Sequence, residues 1–517
     1  MTSSATDQQD FFLEKPLFRW LLIGILCVLA LGIRVYRISD PPLEFNSSRQ
    51  YQGALLTRYY YYMADPAASE WQRQRAEAQK PPNYEPPVME KITAQFYRIT
   101  GRESFWFPRL LSVIFWLIGG AGIFLLSKKL WNKTAAVLSL TVFLFLPFGI
   151  LASRSFLPEP MMVMFMILSY LAIVHYTEKP NLLRLMIAAV LAAAAIFIKV
   201  QSVFMVLGAF GALMISRKKI RQVLVHLHSW IFFFVASAPG AIYYLRSLFI
   251  SETLQSQASW SFMPRLFFTS LFYKGWFQNV GLIVGFGLLI LTLLALPLIY
   301  SRKTPRALLL GLGAGYIMFC VVFNYHASTH HYYHLQIIPL VAVSVGFLGA
   351  VIFARLNESR TPWKLRAAIL TVVLVAFALD GVKQVVIRRN WQERNMDFAK
   401  VVEVAEEIGN HVDHSLRCIF LDPEYGSTLK YHGWLSGWIW YSATDISINR
   451  TFRGSSEKTA QELYFRKYAG LKPRFFIVTD FKEFERQSDL KEFLTSRFQI
   501  MASTPWYLIF DLARELK

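Results

Sequence analysis

Cysteine is scarce in this chain. Three stand in 517 residues: Cys27 and Cys320 inside apolar runs, and Cys418 alone in a polar stretch. Neither a disulfide framework nor a CxxC metal knot can be drawn from them. Acid is scarce as well: 34 Asp plus Glu against 54 Lys plus Arg leave a net charge of +20. Charge of either sign is thin, at 17% of residues, where a soluble domain carries about 25%. Disordered, collagen-like and disulfide-rich classes are excluded. The first fourteen residues hold no Lys or Arg, and no small-residue cleavage site follows the first apolar run, so no cleavable signal is expected.

Apolar residues are what the chain has in excess: 54% of positions, with 43 Phe, 24 Tyr and 14 Trp. They fall into eleven runs, at 17–33, 107–126, 135–151, 158–174, 185–198, 203–215, 223–245, 280–300, 307–323, 335–353 and 367–386. A bilayer crossing takes about 20 apolar residues. The runs at 185–198 and 203–215 are short for that, and Lys199 lies between them.

The basic residues explain the net charge without a nucleic-acid partner. They collect in five loops: Lys128, Lys129 and Lys133; Lys179 and Arg184; Arg217, Lys218, Lys219 and Arg221; Arg302, Lys303 and Arg306; and Arg355, Arg360, Lys364 and Arg366. Loops of this kind stay cytoplasmic, near lipid phosphates. Placing all five inside gives about eleven transmembrane helices, a cytoplasmic N-terminus and an external C-terminus. The expected architecture is a polytopic α-helical protein of the cell (inner or plasma) membrane with a small C-terminal extramembrane α/β domain. Residues 1–390 form the membrane module, with a long external first loop at 36–106, and residues 391–517 form the external domain. Within that loop, 50–63 and 89–99 read as helices. The aromatic-rich stretch 246–278 suits helices lying in the membrane interface. Further on, 397–408 and 481–497 read as helices, and 417–421 and 474–479 as strands.

Ionisable residues at the ends of spans are costly and therefore candidates for function. On the external side this topology collects Glu44, Arg49, Glu85, Arg109, Arg154, Glu159, Lys199, His326, His330, His331 and His334. Each alone reads as a snorkelling or ion-paired interfacial residue. Together they offer carboxylates for proton transfer and cations for an anionic lipid headgroup. Four histidines within nine residues permit a divalent metal, but only His330 and His334 have helical i,i+4 spacing.

Several segments carry a family likeness: PPLEFNSSRQY at 41–51, YEPPVMEKITAQFYRITG at 84–101, FPRLLS at 107–112, SRSFLPEP at 153–160 and HYYHLQIIP at 331–339. With them the chain resembles the GT-C superfamily of polyprenyl-phosphate-sugar glycosyltransferases. The resemblance is to bacterial members akin to the protein O-mannosyltransferases and the aminoarabinose transferase (glycosyltransferase family 39-like), and covers about the first 350 residues. It implies an inverting transferase that takes a sugar from a polyprenyl-phosphate carrier and hands it to a lipid, polysaccharide or protein acceptor outside the membrane, with no cofactor required. In such enzymes the first external loop supplies the catalytic carboxylate, commonly an Asp-Glu pair; here Ser47 and Ser48 stand at the matching positions. The likeness therefore points to Glu44 as base, with Glu85 next and Asp40 nearby. It assigns Arg49, Arg154, Glu159, Lys199, His331, Tyr332, Tyr333 and His334 to the donor phosphate and sugar. A transporter or flippase, or a non-catalytic GT-C-like subunit, is the alternative. No internal repeat is found, which weighs against a transporter.

Overall fold

The structure is a computed structural model that describes residues 16–359, 361–395, 397–453 and 459–516. Arg360, one of the loop cations used for the topology, and the N-terminal tail lie outside the described residues. The chain forms two compact units. The first comprises Met1–Ile38, Pro82–Val88 and Trp106–Arg389, and the second Ser39–Pro81, Met89–Phe105 and Asn390–Lys517.

In the first unit every one of the eleven apolar runs is helical. Among the described residues six helices are long and apolar enough to cross a membrane, or eight if each of two bent pairs counts as one span. The chain is a multi-pass membrane protein. Four of the five runs missing from that count have physical causes. The helices Leu182–Ile198 and Ser202–Ile215 have 17 and 14 residues, on the order of 26 and 21 Å at 1.5 Å per residue. Breaks at Leu146 and Gly285 bend two further runs by 63° and 89°.

The break at Leu146 follows from one residue. Pro147 has no N–H, so it leaves the carbonyl of Phe143 without its helical donor. The indole of Trp116 fills that vacancy, Nε1 donating to Phe143 O at 3.2 Å. Arg34, wholly buried, does the same for the next carbonyl, Leu144 O, at 2.7 Å. It also donates to Ala30 O and to the Ser153 hydroxyl. Elsewhere close packing depends on small residues. A Cβ at Gly208 would overlap the carbonyl of Gly311, and one at Gly315 the carbonyl of Phe204. Helices Ser202–Ile215 and Lys303–Val322 therefore touch backbone to backbone, as small-residue stripes allow in membranes.

The second unit holds a five-stranded sheet: β1 (Cys418–Leu421), β2 (Gly437–Ile439), β3 (Phe475–Val478), β4 (Phe498–Ser503) and β5 (Leu508–Glu515). Their order is β2-β1-β3-β5-β4, with β1 parallel to β2 and β3, and β5 antiparallel to β3 and β4. Alternate residues serve opposite faces. Ile419, Leu421, Phe476, Val478 and Phe510 pack with Trp440 and Phe493 on one side. Cys418, Phe420, Ile477 and Ile509 pack with Ile408 and Leu429 on the other. Both faces are covered, which suits continuous apolar strands. The expected helix at 481–497 is two helices, Phe481–Arg486 and Ser488–Arg497. Gln487 interrupts them, its amide bonding the Trp440 indole and the Tyr441 carbonyl.

The expected division at residue 390 coincides with the break between Arg389 and Asn390, whereas most of the first loop, expected with the membrane module, groups with the second unit. Arg58 shows why. It is buried on helix Ser47–Ala64, with its guanidinium 4.0 Å above the Tyr431 ring and 3.9 Å above that of Trp434. It pairs with Glu103 at 3.0 Å and donates to Tyr431 O at 2.8 Å. Gln79 donates to the carbonyls of Lys430 and Leu435, and the Tyr51 hydroxyl meets His432 Nε2 at 2.9 Å. Removing one partner of a buried ion pair costs about 3–5 kcal/mol. Arg58→Ala is accordingly expected to lower the unfolding midpoint of the purified protein sharply, with the loss concentrated in limited proteolysis of 39–105 and 397–516; unchanged proteolysis would refute this account of the unit.

Candidate functional site

The site in the first unit begins where helix Leu182–Ile198 stops. Lys199 takes an extended conformation, φ −147° and ψ 116°. The next helix starts at Ser202, whose N–H and hydroxyl both donate to Lys199 O. This joint of two short helices presents an ammonium group that is only 1% exposed. A lone charge so buried would cost several kcal/mol. Two carboxylates meet it. Glu159, 0% exposed, bonds Lys199 Nζ directly. Glu85 lies 3.2 Å away and is 16% exposed.

Each carboxylate has a local reason for its place. Glu159 is the first residue of helix Glu159–Glu178, between Pro158 and Pro160. Proline suits the first turn, and an acid there is favoured by the helix dipole. Glu85 precedes Pro86-Pro87 in the short segment entering helix Val88–Thr100, and the Tyr243 hydroxyl donates to its carbonyl at 3.1 Å. The rings of Tyr332 and Tyr333 complete the surround, 5.0 and 4.4 Å from the ammonium. Their π faces favour the cation.

Glu85 opens onto a cavity of about 260 Å³. Gln201, Tyr244, Ser261, His326 and Tyr333 line it, with apolar wall from Leu248 and Phe323. The His326 ring is stacked on Tyr333, 4.9 Å between centroids at 5°. His326 lies between two spans on helix Asn324–Thr329, and burial, helped by nearby Lys199, pushes its imidazole down to about 4.

Five of the anticipated residues thus converge: Glu85, Glu159, Lys199, Tyr332 and Tyr333. The remaining anticipated residues have other partners. Both ring nitrogens of His334 are engaged, one with the Tyr316 hydroxyl at 2.5 Å and one with Ala327 O at 2.8 Å. That makes it a brace between helices. His331 packs edge-on to Phe148, and its Nδ1 accepts from Tyr332 N. Arg154 donates to the carbonyl of Tyr36, and Arg109 to that of Ile38. Both therefore tether the end of the first helix. Glu44 and Arg49 belong to the second unit, where Glu44 is buried and Arg49 donates to Gln52 Oε1 at 3.1 Å. Trp440, just after β2, is core. Among the described residues no three His, Cys, Asp or Glu side chains group as metal ligands. Gln201 was missed, although an amide two residues after Lys199 in an apolar stretch is the sort of polar outlier that marks a lined cavity.

Residues 84–243 match the dolichyl-phosphate-mannose-protein mannosyltransferase family. That segment contains Glu85, Glu159 and Lys199. The chain also aligns with ArnT from Cupriavidus metallidurans, solved bound to undecaprenyl phosphate, over 96% of this chain and 98% of that one, at 14% identity and a TM-score of 0.56. This chain has the GT-C fold. The oligosaccharyltransferase of Archaeoglobus fulgidus shares it at 11% identity and a TM-score of 0.56, over 93% of this chain and 71% of that one. The same archaeal enzyme, AglB, in complex with an inhibitory peptide and a dolichol-phosphate, aligns at 10% identity and a TM-score of 0.54, over 93% and 73% of the two chains. None of the curated proteins matches the sequence. The likeness to GT-C glycosyltransferases read from the sequence therefore stands at the level of the fold, and the family match falls on the lysine–carboxylate joint.

Proposed function

We propose that this protein is a membrane glycosyltransferase that moves a sugar from a polyprenyl-phosphate carrier to a hydroxyl of a lipid, polysaccharide or protein acceptor on the non-cytoplasmic side, with inversion at the anomeric carbon. The buried Lys199–Glu159–Glu85 cluster beside a cavity, in a fold that holds undecaprenyl phosphate in ArnT, carries the reading. The acceptor oxygen attacks C1 of the sugar from the face opposite the phosphate. Glu85 accepts the proton, the C1–O bond breaks, and its electron pair stays on the carrier phosphate. Lys199 stabilises that developing charge. Glu159, sealed behind the lysine, keeps the ammonium charged and aimed. Because lysine supplies the positive charge and phosphate is already a good leaving group, this scheme requires no metal. Tyr332 and Tyr333, whose rings face the ammonium, would contribute to donor binding as neighbours of this centre.

The direct test is to incubate purified protein with undecaprenyl phosphate carrying glucose, mannose or a pentose. Release of the bare carrier together with a glycosylated acceptor is expected; failure to bind any polyprenyl phosphate would overturn the proposal. Sidedness has its own test. With Cys27, Cys320 and Cys418 replaced by serine, Gln461→Cys on the exposed side of helix Ala460–Lys467 should react with an impermeant thiol reagent in intact cells. Protection until lysis would reverse the assigned topology.

A further inference from the structure

Two polar side chains in the cavity do nothing for the lysine cluster. Gln201 and His326 are 3% and 4% exposed, yet Gln201 Nε2 and His326 Nδ1 have no hydrogen-bond partner among the described residues. Burying an unmatched polar group costs about 1–3 kcal/mol, and native proteins keep few such groups. Both residues line the same cavity. The stack on Tyr333 fixes the plane of the His326 ring, and Ser261 Oγ sits 3.3 Å from its Nε2. The direction of Nδ1 is thereby set.

We propose that this cavity is a subsite for one uncharged sugar ring, with Gln201 and His326 reading its hydroxyl groups. The inference rests on the donor reading above and deepens it. The chemistry selects the ligand class. The Gln201 amide nitrogen only donates. A neutral imidazole has one donor and one acceptor nitrogen, and since the Ser261 hydroxyl can take either role, Nδ1 can serve as either. Hydroxyls donate and accept, so neighbouring hydroxyls on a ring satisfy both groups. An anion would meet the Glu85 carboxylate in the same wall. A cation would gain nothing from the amide donor and would lie near Lys199. Leu248 and Phe323 supply the apolar surface that a ring's C–H face requires. The volume of about 260 Å³ lies just below the range of ~300–1,000 Å³ for drug-sized ligands, which is room for one ring.

The test compares equilibrium affinities of the full-length protein for bare undecaprenyl phosphate and for the same lipid carrying each of glucose, mannose and a pentose. The wild type should prefer at least one glycosylated carrier about tenfold or more, since sites that pair buried polar groups with substrate hydroxyls discriminate strongly. Gln201→Ala and, separately, His326→Gln should erase that preference while bare-carrier affinity stays within about twofold. The conservative His326→Gln guards against misfolding, and thermal stability of both variants is measured alongside. Preference retained in both variants would overturn the subsite while leaving the donor reading intact. Parallel loss of bare-carrier affinity would also overturn it, because the residues would then act on the phosphate or the fold. A wild type that binds the bare carrier but shows no preference for any sugar would equally refute it. A wild type that binds neither form would instead remove the donor reading itself.

Discussion

Lys199→Ala is expected to abolish transfer and, in the same protein, to weaken folding. Both effects follow from the burial of the ammonium and of Glu159. Removing the lysine strands the wholly buried Glu159 without that cation, at a cost of about 3–5 kcal/mol. Removing it also withdraws the charge that meets the leaving phosphate oxygen, for which a loss of about 10²–10³ in turnover is typical of a preorganised donor. The two effects separate in a double variant. Adding Glu159→Gln to Lys199→Ala takes away the stranded charge and should restore most of the thermal stability. It should restore none of the turnover. Thermal unfolding in detergent and single-turnover release of the carrier check the two arms independently. If the double variant recovers both stability and activity, Lys199 is a structural cation only and the phosphate role fails. Glu159→Gln alone leaves Lys199 with Glu85, so it should fold and retain partial activity. Such non-additivity is what residues in contact display.

The membrane module was readable from composition because a helix in lipid must be apolar along its whole length. Each of the eleven runs is helical for that reason. The joint at Lys199 was readable from length alone: 185–215 is too long for one crossing and too short for two. The cavity was not readable. Its wall comes from 84–85, 200–201, 244–248, 258–261 and 323–333, and nothing local to any one segment signals the others. The partner of Lys199 was only half visible. Arg154 lies five residues before Glu159 and competes for it on paper, yet the fold turns the arginine to the Tyr36 carbonyl. Strand β5 was hidden for another reason. LIFDLARE at Leu508–Glu515 suits a helix as well as a strand, and antiparallel pairing with β3 and β4 decides it. The first loop was grouped with the membrane module by its place in the chain alone, whereas two rings from residues 431 and 434 enclose its Arg58.

Glu85→Gln should slow turnover by about 10²–10⁴, the usual loss when a general base is removed. Its binding phenotype should run the other way. Glu85 is a negative charge 3.2 Å from the ammonium that is to hold a phosphate. Neutralising it removes a competitor for Lys199 and a source of repulsion, so bare undecaprenyl phosphate should bind as well or more tightly. Folding should be little affected, because Lys199 keeps Glu159. The combination of slower chemistry with undiminished carrier affinity is what distinguishes a base from a mere counter-ion, whose loss would leave turnover near normal. Glu44 provides the contrast. It is buried ahead of helix Ser47–Ala64, and if Glu85 is the base, Glu44→Gln is expected to turn over within a few-fold of wild type. Asp40→Asn should behave in the same way. Carrier release at saturating donor, measured alongside direct carrier binding, decides among the three. If Glu44→Gln proves inactive and Glu85→Gln turns over normally, the base is the first-loop carboxylate, and Glu85 serves only to hold Lys199 until phosphate displaces it.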